Sequence, residues 1–109
     1  MESSILKTIK KPLNISADDD AFNDDLILFI NSELAVVRQL GPGLSAPLVI
    51  VDDTTTWADL FGEDTELIQL VKSYIYLGTR IKFDPPTSGP ALNSLKESRT
   101  ETGWRITES

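Results

Sequence analysis

A chain of 109 residues with neither cysteine nor histidine excludes disulfides, zinc centres built on Cys or His, and catalysis by a thiolate or an imidazole base. Its net charge of -7, with Arg38 the only base between Pro12 and Val71, is the opposite of the balance that tight nucleic-acid binding requires. Hydrophobic residues at 40% and charged residues at 25% fit one globular domain rather than a disordered chain, but its core must be modest, and assembly with other chains would add stability.

From Ser3 to Lys11 the apolar residues Ile5, Leu6 and Ile9 recur at helical spacing, and Pro12 ends this first short helix. The opening "MESSILKTIKKPL" is too short and too charged for a secretory signal. No apolar run approaches the roughly 20 residues needed to cross a bilayer. A protein made in the cytoplasm, with no membrane partner, is expected. "NISADDD" reads as a turn in which Asp18 or Asp19 caps a second helix, from Asp20 to Leu40. Within it "LILFI" is apolar nearly all round, the pattern of a helix buried on more than one side. "GPG" at Gly41 to Gly43 breaks the chain; it lacks the length and the lysine of a phosphate-binding loop.

"PLVIVDDTTTW" predicts a short β strand at Leu48 to Val51, a polar turn, and room for a second strand completing a hairpin. Such a hairpin must pack on helices or pair between subunits. "TTWADLFGED" reads as a single helical turn capped by Thr55 or Thr56 and closed at Gly62. A third long helix runs from Asp64 to Phe83. Its apolar face is Leu67, Leu70, Val71, Tyr74, Ile75, Gly78 and Ile81, and its polar face includes Tyr76 and Arg80. Gly78, on the inner face, marks a close approach of another helix. "DPP" stops the helix. A fourth begins near Pro90 and ends at Gly103. The fold class is therefore mainly α: a small bundle of four helices, with a short β strand or hairpin between helices two and three. Residues 1–103 form its body and residues 104–109 a C-terminal arm.

The acidic clusters invite a metal reading and do not sustain it. "ADDDAFNDD" lacks the glycine and the alternating oxygens of a calcium loop, and "VDDTTTWAD" is accounted for by a polar turn. Ser73 adjoins Lys72, but adjacent positions on a helix do not face one another. No catalytic residue, metal or cofactor is expected, and the chain is not expected to be an enzyme. Trp104, Arg105 and Ile106 are different in kind. Trp and Arg are favoured anchors at interfaces, so the arm reads as partner-binding unless Trp104 folds back onto its own domain.

The strings "ILKTIKKPLNI", "FINSELAVVRQLGPG", "TTTWADLFGED", "VKSYIYLGTRIKFDPP" and "GWRI", in this order and spacing, resemble the head–tail connector proteins, or adaptors, of long-tailed bacteriophages. The resemblance implies a helical protein of the virion neck. It implies a homo-oligomeric ring, typically dodecameric, that sits under the portal protein, extends the DNA channel and presents a docking face to the head-completion or stopper protein. DNA would pass through without specific binding. Trp104, Arg105 and Ile106 match the arm that reaches the portal. The loop carrying Asp52, Asp53, Thr54 and Thr55 matches one that faces the channel or the next ring. The polar face of the third helix, with Tyr76 and Arg80, would meet a neighbouring subunit. The competing reading is a small acidic soluble binding module, such as a regulator that mimics DNA.

Overall fold

The computed structural model describes residues 4–41 and 48–108. Ser3, Pro42, Gly43 and Ser109, which entered the sequence reading, lie outside them. Helix α1 spans Ile5–Lys10 and is capped by Ser4, whose hydroxyl accepts from the Lys7 N–H at 3.3 Å. A 3-10 turn at Lys11–Leu13 absorbs Pro12, and Asn14 ends it in the left-handed region at φ 63. Helix α2 spans Asn23–Gln39, α3 Trp57–Phe61, α4 Thr65–Phe83 and α5 Gly89–Glu108.

Asp18 and Asp19 do not cap α2. Its N-cap is Phe22, which makes no side-chain cap, while Asp19 Oδ1 accepts from the Ala21 N–H. The loop before α2 is fixed instead by Lys10. This side chain is buried, and its ammonium donates to the backbone carbonyl of Asp19 at 2.8 Å. For α3, Thr56 and Asp59 exchange side-chain to backbone hydrogen bonds in a capping box. Asp64 caps α4 through Leu67 N–H.

The core follows the apolar spacing. Leu26, Ile30, Leu34 and Val37 of α2 meet Leu67, Val71, Tyr74 and Ile75 of α4. Phe22 at the start of α2 makes an edge contact with Phe83 at the end of α4, with ring centroids 5.3 Å apart, so the two helices run antiparallel. Helix α4 packs on both α2 and α5. Helix α1 closes one end of the core with Ile5, Leu6 and Ile9. It is tied to α3 by Ile5 N–H donating to Thr55 carbonyl and by Trp57 Nε1–H donating to Thr8 Oγ1 at 3.2 Å.

Two further expectations are corrected. Leu48 to Val51 form no strand or hairpin, and the described residues contain only an isolated bridge between Ser4 and Thr56. The segment has no regular secondary structure and buries Leu48 and Ile50. The reason is Asn31 on α2. Its carboxamide donates to Ile50 carbonyl at 2.9 Å and accepts from Ile50 N–H at 2.8 Å. One side-chain amide thus does what a neighbouring strand would do, and the backbone needs no second strand. The other correction concerns Gly103. It does not stop the last helix, which continues through it to Glu108. A Cβ there would meet Tyr74 Cε1 at 3.1 Å and Leu40 Cδ1 at 3.7 Å. Gly103 therefore serves close packing of α5 on Tyr74, and residues 104–108 are the last turns of α5 rather than a separate arm.

Candidate docking surface

Helix α5 is poor in apolar residues. Only Gly103 and Ile106 are fully inside, with Leu92, Leu95, Arg99 and Thr102 half-buried. Charge completes its attachment. Glu33 of α2 is fully buried; its Oε2 accepts from Lys82 Nζ at 2.8 Å and its Oε1 from Arg99 Nε at 3.0 Å. A second guanidinium nitrogen of Arg99 lies 2.9 Å from the same Oε1. The guanidinium also covers the Tyr74 ring, 4.5 Å from its centroid. The carboxylate fits only because α4 carries Gly78: a Cβ there would overlap Glu33 Oε1 and Cδ. The expected close approach at Gly78 is thus made, by a side chain of α2. Burial raises the Tyr74 hydroxyl above the usual tyrosine range; Arg99 opposes this shift and Glu33 adds to it.

With α5 held this way, its outer face presents Trp104, which is 65% exposed. Beside it lies a groove of about 350 Å³ lined chiefly by Leu40, Tyr74, Arg99, Gly103 and Trp104. Lys96 and Thr100 lie on the Trp104 face at four-residue intervals, and both line a second groove against the same indole. Arg105 is exposed and pairs with Glu101 one turn earlier at 2.9 Å.

The structure divides the sequence-derived residues. Trp104 and Arg105 face solvent, whereas Ile106 is in the core. Arg80 donates to Tyr76 Oη at 3.2 Å and to Asp84 carbonyl at 3.1 Å, and the Tyr76 hydrogen bond, the largest cause, raises its pKa further. Tyr76 stands about 200° around α4 from Tyr74, so this pair and the groove are not one site. Asp52, Asp53 and Thr54 are exposed at a turn and Thr55 is half-buried. Thr54 Oγ1 and N–H both donate to Asp52 Oδ1, which holds this carboxyl below its ordinary range. Asp53 lies 3.8 Å from Lys7. The sequence reading missed Asn31, Glu33, Lys82 and Arg99 as positioning residues. The one local signal was Gly78, a glycine on the buried face of an otherwise strong helix.

Among the described residues no group of carboxylates could hold a metal ion, and no helix is long and apolar enough to cross a membrane. The fold is a small helical domain whose last helix is held over a buried charge cluster. The family model described as phage connector protein matches residues 5–109, and the chain belongs to that family. It is a head–tail connector protein, and the family's role is structural, in the bacteriophage virion. No curated protein and no solved structure matches the chain.

Proposed function

We propose that this chain forms a closed ring in the phage neck, below the portal protein and above the stopper, and that the ring continues the DNA channel between head and tail. The observation that carries this reading is Trp104, a large aromatic side chain 65% exposed on a helix that is otherwise charged outside. Gly103 and Ile106 fix the backbone on either side of it, so the indole is presented on a rigid element rather than on a free tail. An aromatic anchor beside an apolar groove is the composition of an interface centre.

The small size of the chain points the same way, because mass action within a ring adds to the stability of each subunit. The acidic surface of residues 18–25 suits a wall that DNA must pass without adhering. Trp104 and Arg105 are the proposed contact residues, and Ile106 supports them from within. Tyr76 and Arg80 are engaged with each other and with Asp84 and are not put forward as a subunit contact.

The test is mass in solution, by native mass spectrometry or sedimentation, alone and with purified portal protein. A ring, free or seated on portal, is the expected result. The alternative, a monomeric acidic regulator, requires a chain that stays monomeric in both mixtures.

A further inference from the structure

We infer that the groove on α5 receives the Val49–Asp53 loop of a second copy of this chain, so that copies join head to tail. The inference rests on the ring reading and names the two faces that would close it.

The first face is the loop. Asn31 pins Ile50 through both of its backbone groups. Burial alternates along the segment, with Leu48 and Ile50 inside and Val49 and Val51 outside. Val51 is 76% exposed and Val49 is also exposed. Leu28, one turn before Asn31 on α2, is exposed as well and widens the patch. Asp52 and Asp53 follow directly. The result is a projecting apolar edge with an acidic tip.

The second face is the groove between Leu40, Tyr74 and Trp104, of about 350 Å³. Along its border Arg99 and Lys82 share the one charge of Glu33, which leaves that cluster net positive, and Lys96 adjoins it, with Glu97 on the next position of the α5 face. Glu101 is already matched by Arg105. The exposed valines suit the apolar groove, and Asp52, with Asp53 only loosely held by Lys7 at 3.8 Å, suits the net positive edge at Lys82, Lys96 and Arg99.

Their placement decides the occupant. Asn31 and Glu33 are two residues apart on α2, so they point about 200° apart around its axis. Glu33 faces α4 and α5, and Asn31 faces the loop. Loop and groove thus occupy opposite flanks of the molecule. Two unlike, complementary patches on opposite flanks make a heterologous contact, the kind that closes a ring. Docking to the portal requires one patch and leaves the other unexplained. This assigns Asp52 and Asp53 to a subunit contact rather than to the channel.

The absence of cysteine allows a direct test. Val51→Cys and Thr100→Cys, the latter on the groove wall with Trp104 kept, are made singly and together in the full chain. Both sites are exposed, and unchanged melting checks the fold. Each is oxidised with copper–phenanthroline in air, alone and on purified portal. The expected result is a disulfide-linked dimer when the two single variants are mixed, a ladder of oligomers from the double variant, and no crosslink from either single variant by itself. Trp104→Ala should raise the concentration needed for assembly about thirtyfold, the size of a Trp hot spot. If the ring persists by mass with no mixed crosslink, the interface is wrong and the ring reading stands. If Trp104→Ala keeps the ring and loses portal binding, the portal is the occupant and the inference is overturned. If wild-type protein assembles neither alone nor on portal, the ring reading fails and the interface with it.

Discussion

Glu33 is the residue on which three helices agree. A buried carboxylate is costly unless it is paired and fully hydrogen-bonded, and here two cations from α4 and α5 meet it. Removing Arg99 should be worse than removing Lys82, because Lys82 is the more exposed partner and Arg99 also covers Tyr74. Arg99→Leu is expected to cost on the order of 3 kcal/mol and Lys82→Leu about 1 kcal/mol, read from denaturant midpoints. Gly78→Ala would normally gain about 1 kcal/mol in a helix. Against Glu33 it should instead lose about 1–3 kcal/mol through overpacking. In a Glu33→Ala background the same change should become neutral or stabilising, a coupling that a double-mutant cycle measures. None of this was legible in the sequence beyond Gly78 itself, since the partners of Glu33 lie 49 and 66 positions away and no local pattern links them. Tyr74 supplies a pH test of the same cluster. Its pKa is raised in the fold above the ordinary 10.0. The protonated form is therefore favoured by folding, and the associated stability is complete below pH 10.0 and lost as pH rises through the higher folded value. Ultraviolet titration should show one tyrosine ionising late, and Tyr74→Phe should remove that late step.

At the scale of the element, α2 and α4 were readable because their buried residues recur at helical spacing, and α4 also because its ends carry ordinary signals: Asp64 as a cap, and the double proline as a stop; the start of α2, at Phe22 with no side-chain cap, carries none. Helix α5 and the loop after α2 were misread, each for a reason that lies in tertiary contact. A glycine near the end of a polar helix looks like a stop, but Gly103 faces Tyr74, and close approach is its use. An apolar run such as Leu48 to Val51 looks like a strand, but Asn31 meets its backbone needs with one side chain. Asn31→Leu should strand the Ile50 N–H and carbonyl and cost about 1–3 kcal/mol, with faster hydrogen exchange at Ile50. The corrected end of α5 changes what truncation does. A chain stopped at Gly103 loses Ile106 from the core. It should destabilise, as should Ile106→Ala, by about 2–5 kcal/mol. Trp104→Ala should leave the stability of the separated subunit within about 0.5 kcal/mol. Equal melting of the truncated and full chains would show that the last turn of α5 contributes nothing to the fold.

Across the whole molecule the charge is sorted. Asp18 to Glu66 carry most of the acids, on α2, α3, the loops around them and the first turn of α4. Helices α4 and α5 hold Lys72, Arg80, Lys82, Lys96, Arg99 and Arg105. That division was legible from sequence, but its spatial meaning was not. Of the later bases, Lys82 and Arg99 are turned to Glu33, Arg80 to Asp84 and Tyr76, and Arg105 to Glu101. These cations are engaged within the chain and do not form a free stripe that could track a phosphate backbone. A DNA-binding surface releases counterions in proportion to the phosphates it neutralises, which gives affinity a steep salt dependence. This molecule, at net charge -7, has an acidic surface to repel the duplex and little unpaired basic surface to hold it. Fluorescence anisotropy with duplex DNA should therefore detect no binding at physiological salt, either for the subunit or for its assembled ring. Lowering the salt to about a quarter should not recover it, whereas a protein making six to ten phosphate contacts would gain roughly a thousandfold or more over such a change. Binding that strengthened steeply at low salt would mean that assembly gathers the remaining cations, Lys11 and Lys96 among them, onto one surface, and that the ring grips DNA rather than letting it pass.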